Sequence, residues 1–85
     1  MTENAQSPDV DQFVRFYEDA IEGIEPNSLE PSTKYHEMAQ WDSLALLCLI
    51  AMIDCEYEVQ IAGADLRACD TLQDVYDLVS AKKAS

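Results

Sequence analysis

Few residues of this chain could do chemistry: one serine at a helix start, Ser43, one histidine, His36, three cysteines and a large set of acids. Ser43 lies in Trp41-Asp42-Ser43-Leu44, at the head of an apolar run from Leu44 to Ile53. Asp42 reads as a helix N-cap, Trp41 at N′ can staple onto Leu46 at N4, and Ser43 falls at the first helical position. A hydroxyl there sits among unpaired backbone N–H groups at the positive end of the helix. A phosphate attached to it would be favourably placed. An Asp-Ser pair is also an ordinary helix cap, and spacing alone leaves both readings open.

His36 lies near Ser43 in sequence and invites a Ser-His reading. No Gly-x-Ser-x-Gly elbow and no oxyanion glycine accompany it, so no catalytic residue is expected. Cys48, Cys55 and Cys69 form an odd set without a Cys-x-x-Cys pair, and one histidine is too few for a zinc site. Cys48 and Cys55, seven apart, share a helix face at a separation no disulfide within one helix spans. Asp11, Glu18, Asp19 and Glu22 read as a solvated face and match no calcium loop. No metal is expected.

Those groups have to be positioned by a small chain. Eighty-five residues make one domain, 1–85, too small for a deep enclosed active site beside a core. The formal net charge of -12 argues against nucleic acid and anionic membrane surfaces and for partners with basic docking faces, although acidity can also serve solubility alone. Free cysteines fit a reducing compartment. Met1 to Pro8 holds no signal-peptide core, and the apolar run is far short of a membrane span. A cytoplasmic protein without membrane insertion, and a monomer, is expected.

In chain order, a polar leader through residue 7 ends in Ser7-Pro8-Asp9, which reads as N-cap, N1 proline and first-turn acid. Val10, Phe13, Val14, Tyr17 and Ile21 make one apolar stripe, and Gly23 with Pro26 stops the helix. From Ile24 to Trp41 the composition supports only a long connection, and such a loop must be pinned. Ile24, Leu29, Tyr35 and Met38 are its candidate pins. A second helix is expected from Ser43 to about Glu58, with Leu46, Leu49, Ile50, Ile53 and Tyr57 inward. Leu44, Cys48, Ala51 and Cys55 then point outward, with Leu47 on the flank. Such a helix is apolar on both sides, which fits either a crowded core or an exposed protein-binding face. After Gly63, Ala64 to Ala68 allows a short helical turn with Leu66 inward. Asp70-Thr71 caps a last helix, Thr71 and Asp74 suggest a capping box, and Leu72, Val75, Tyr76 and Val79 face inward. Lys82 and Lys83 suit its negative end, and residues 80–85 form a tail. There are no repeats and no strand-like alternation.

This order of elements, with Asp42-Ser43-Leu44 opening the second helix, Leu49, Ile53 and Tyr57 inward, then Val59-x-Ile61, Asp65-Leu66 and Thr71-Leu72, resembles the acyl carrier protein family, which includes the peptidyl carriers. The likeness runs from about Val10 to Val79. It implies an all-α, acyl-carrier-like bundle of three main helices plus one short helix, with a long loop between helices one and two. It also implies that Ser43 is the attachment point of a covalent 4′-phosphopantetheine, added from coenzyme A by a phosphopantetheinyl transferase that brings its own base and magnesium. The chain itself would then be no enzyme but a freestanding carrier, holding an acyl or aminoacyl group as a thioester for a loading enzyme and downstream transferases or synthases.

The outer face departs from carriers of fatty acid synthesis, which usually show acids along the second helix. This chain has Ala45, Leu47, Cys48, Ala51 and Cys55 there, with acids only at Asp54, Glu56 and Glu58. Trp41 also replaces their usual small residue, and both features look more like a carrier of a specialised pathway. Asp42 and Leu44 are expected to position the transferase, and Leu47, Cys48 and Ala51 to form a largely apolar docking face. Two other readings stay open: a peptidyl carrier loaded by an adenylating enzyme, and an unmodified helical interaction module.

Overall fold

The computed structural model describes residues 6–84, with side chains from 10 to 83. Four α-helices follow one another, α1 (Gln6–Ala20), α2 (Ser43–Tyr57), α3 (Gly63–Ala68) and α4 (Leu72–Ala84), with one 3-10 turn at Tyr35–Glu37 in the connection from α1 to α2. The all-α architecture, the helix order and the long first loop are those expected. α1 packs on α2 and α4, and α2 packs also on α3 and α4.

The stripe of α1 does what its spacing predicts: Val10, Phe13, Val14, Tyr17 and Ile21 are all buried. The helix starts at Gln6, so Ser7 and Pro8 lie inside its first turn rather than at N-cap and N1. Proline is tolerated there because first-turn N–H groups have no acceptor within the helix. Gly23, in the left-handed region at φ +92°, turns the chain away.

Glu18 corrects the reading of α1's acids. It is only 5% exposed, and its two carboxylate oxygens accept the backbone N–H groups of Asn27 at 2.8 Å and Leu29 at 2.9 Å. Arg15 completes the clamp, donating to Asn27 Oδ1 at 2.6 Å and to the Leu29 carbonyl at 2.9 Å, with its Nε 3.3 Å from Glu18. A carboxylate buried this way is tolerated because both oxygens are paired.

The first loop is therefore held by polar bonds as well as by the expected apolar pins. Tyr35 is fully buried, while Ile24, Leu29 and Met38 lie partly buried against the core. The Tyr35 hydroxyl donates to the Leu66 carbonyl at 2.6 Å, and His36 Nε2 meets the same oxygen at 2.9 Å. At the far side, the loop carbonyls of Thr33 and Pro31 accept the N–H groups of Leu72 at 3.1 Å and Gln73 at 2.8 Å. Two donors that a helix start leaves open are thus satisfied by the loop. The capping box is present too: Thr71 Oγ1 accepts from the Asp74 N–H, and Asp74 Oδ2 accepts from the N–H groups of Thr71 and Asp70. Gly63 is the first residue of α3, and Leu66 is buried as expected.

Candidate functional site

The candidate site is the first turn of α2. Asp42 is in extended backbone conformation, and its side chain accepts the Ala45 N–H at 2.8 Å while its carbonyl accepts that of Leu46 at 3.0 Å. The bond to Leu46 is the first of the helix itself, so of the N–H groups a helix start leaves open the Asp42 side chain satisfies that of Ala45, and those of Ser43 and Leu44 remain open. Ser43 is the first helical residue and is exposed. Leu44 beside it is 66% exposed.

Trp41 anchors the approach to this turn. Its ring stands edge-on to Tyr35 at 4.9 Å between centroids and tilted against His36 at 5.4 Å. Through Tyr35 and His36 the turn is tied to the Leu66 carbonyl at the end of α3. His36 is thus a structural side chain. Leu46, the expected staple partner of Trp41, reaches toward α3, where a Cβ built on Gly63 would meet its Cδ2 at 3.5 Å. Burial pushes the Tyr35 phenol well above its usual value, with the charges of neighbouring groups adding to it.

Behind Ser43, α2 is rotated relative to the spacing-based expectation. Ala45, Leu49, Met52 and Ile53 are its buried residues, whereas Leu46, Ile50 and Tyr57, expected inward, are half-buried. Ala45 therefore leaves the proposed outer face. A helix apolar on every side carries no strong directional signal, so α1, α3 and α4 set its rotation.

The remaining outer residues keep their place. Leu47 is 61% exposed, and Ala51 and Cys55 are exposed, while Cys48 is half-buried against the core. The acids Asp54, Glu56 and Glu58 are exposed at the far end. All three cysteines are free thiols, and burial, then Asp74 and Asp65, push the Cys69 thiol up. Among the described residues no group of three or more His, Cys, Asp or Glu side chains could hold a metal ion. No described helix is long and apolar enough to cross a membrane.

The Glu18–Arg15 clamp and the burial of Ala45 and Met52 escaped the sequence. A signal for the first existed: Glu18 stands four residues after Val14 and beside Tyr17, at the edge of the buried stripe, with Arg15 one turn before it.

Residues 20–79, which contain Ser43 and all of α2 and α3, match the family described as "Phosphopantetheine attachment site". The fold is similar to the solution NMR structure of holo acyl carrier protein from Geobacter metallireducens, with a TM-score of 0.72 and 25% identity over 91% of this chain and 87% of that one. No curated protein sequence matches the chain significantly. With this match over most of the chain and the helix order above, the chain belongs to the phosphopantetheine-attachment family and is a carrier protein of the acyl-carrier type, not an enzyme, with 4′-phosphopantetheine as its covalent prosthetic group.

Proposed function

We propose that Ser43 bears the 4′-phosphopantetheine and that the protein shuttles an acyl or aminoacyl group between enzymes of a specialised biosynthetic pathway. The observation that carries this reading is the exposed Ser43 hydroxyl at the head of α2, beside the open N–H groups of Ser43 and Leu44. The residues fit the group. A phosphodiester on Ser43 Oγ lies at the positive end of a fifteen-residue helix, where unpaired N–H groups and the helix dipole favour an anion. Asp42 does not compete for that place, because its carboxylate is engaged with Ala45.

Each residue has a limited task. Asp42 holds the turn so that the Ser43 hydroxyl faces outward as the nucleophile toward coenzyme A, with base and magnesium belonging to the phosphopantetheinyl transferase. Leu44 and Leu47 offer apolar contact on either side of Ser43, and Ala51 with the accessible edge of Cys48 extends it. An exposed patch of this kind suits a protein partner. When bound, the prosthetic group supplies a thiol on a flexible tether, which raises the effective concentration of cargo at each partner enzyme. Residues 1–85 act as a single, monomeric carrier domain in the cytoplasm, where free thiols persist.

Coexpression with a broad-specificity transferase should add the mass of one phosphopantetheine. Ser43→Ala should remove that addition, and modification persisting in the mutant would overturn the site.

A further inference from the structure

α1 and α2 do not close against each other along their outer edge. A groove of about 370 Å³ lies between the end of α1, at Asp19 and Ala20, and the start of α2, at Asp42, Leu44 and Cys48. A second, of about 340 Å³, continues between the same helices past Ala51 and Met52 to Cys55. Asp19, Ala20 and Cys48 line both, so the two form one trough. It opens on the residues flanking Ser43 and ends at a free, exposed thiol.

The trough's length matches the tether. Cys55 lies twelve residues beyond Ser43 on the same helix, about 18 Å along the axis at 1.5 Å per residue. From phosphorus to sulfur, the phosphopantetheine chain with its two amides equals four to five extended residues, or about 15 Å. The two side chains and the sulfur–sulfur bond span the rest. The lining is mixed: Ala20, Ala45 and Met52 offer apolar contact to the methyl and methylene groups of the tether, and among the acids Asp19, exposed, can accept an amide N–H. Of the three thiols, Cys48 is half-buried at the waist of the trough and Cys69 sits at the end of α3, so Cys55 is the accessible one at the right distance.

We infer that the holo protein has a self-capped form in which the arm lies along this trough and its thiol is disulfide-bonded to Cys55. The pairing rests on the attachment to Ser43 proposed above. Its oxidant is a low-molecular-weight disulfide of the glutathione class. The arm thiolate attacks one sulfur of that disulfide and releases one small thiolate. Cys55 thiolate then attacks the arm sulfur of the mixed disulfide and releases the second. Two protein thiols are oxidised, one small disulfide is reduced to two thiols, and the two protons end on the released thiols. The closed form cannot accept an acyl group, so loading follows the thiol–disulfide poise of the compartment.

The test uses the full chain converted to the holo form, with the adduct located on Ser43 by peptide mass mapping, then equilibrated in a millimolar mixture of reduced and oxidised glutathione. The tether holds Cys55 at an effective concentration in the millimolar range, so the wild type should show the Ser43 peptide linked to the Cys55 peptide. Cys55→Ser, a surface replacement, should show no link and carry more arm–glutathione mixed disulfide than the wild type, by about twofold where the effective concentration equals that of reduced glutathione. An equal level of mixed disulfide in both proteins, or a link to Cys48 or Cys69, overturns the pairing while the attachment to Ser43 stands. An adduct missing from Ser43 overturns both.

Discussion

The Asp42 carboxylate accepts the Ala45 N–H at 2.8 Å, the N-cap bond that makes Ser43 the first residue of α2. Ser43 follows the cap directly as the first helical residue and is exposed, with its N–H among those that a helix start leaves open.

Asp42→Ala should therefore weaken both stability and modification. Loss of an N-cap costs about 1 kcal/mol, which corresponds to a fall in Tm of roughly 4–8 °C for a domain of this size. Asp42→Asn keeps the acceptor and should recover most of that fall. Thermal unfolding of the three proteins and the rate of phosphopantetheine transfer measure the two effects; equal transfer to wild type and Asp42→Ala would mean that the cap does not position Ser43.

The Glu18 clamp should prove one of the strongest polar contributions to the first loop. Glu18→Ala leaves the N–H groups of Asn27 and Leu29 without their acceptor, at a cost of about 2–3 kcal/mol. Urea unfolding should show it, and hydrogen exchange at these two amides should accelerate selectively. A change below about 0.5 kcal/mol, the scale of ordinary surface substitutions, would return Glu18 to the solvated face that sequence alone suggests.

Leu47, on the proposed docking face, and Leu49, in the core, stand two residues apart. Leu47 is 61% exposed and Leu49 fully buried. Leu47→Glu should leave helicity and stability within about 0.5 kcal/mol while weakening loading by the partner enzyme. Leu49→Ala should cost about 3 kcal/mol through the cavity it leaves. Circular dichroism, unfolding and a loading assay distinguish the outcomes, and loss of fold in Leu47→Glu would place that residue in the core.

Stability should be lost at alkaline pH by a specific route. Burial raises the Tyr17 phenol to about 12 and pushes Tyr35 up as well, against about 10 in the unfolded chain. Both groups are therefore held neutral in the fold. Their contribution is fully present below pH 10 and falls as pH rises through the folded values. Tyrosinate absorbance should show these two rings titrating only as the protein unfolds, and Tyr17→Phe should flatten the alkaline limb. Asp74 acts at the other end: the N–H groups of Thr71 and Asp70 hold its carboxyl below the usual range. Its contribution is present above the ordinary aspartate value and is lost as pH falls through the folded one, so Asp74→Asn should flatten the acid limb.

The sequence by itself determined the elements whose chemistry is local. The stripe from Val10 to Ile21, the Asp42 cap and the Thr71–Asp74 box each depend on residues a few positions apart, and all three stand as read. So does the place of Ser43 at the head of α2, because the cap residue sets the first helical position directly after it. Tertiary structure alone decided three further features. α2 is apolar on all sides, so its pattern has no preferred face, and its neighbours turned Ala45 and Met52 inward. Glu18 became buried because Asn27 and Leu29, remote in sequence, brought their N–H groups to it. Lys83 stands in the last turn of its own helix as expected, and from there it also donates to the Tyr57 carbonyl at the end of α2, 2.9 Å away. In each case the deciding partner lies on another segment, and no local pattern records which segments meet.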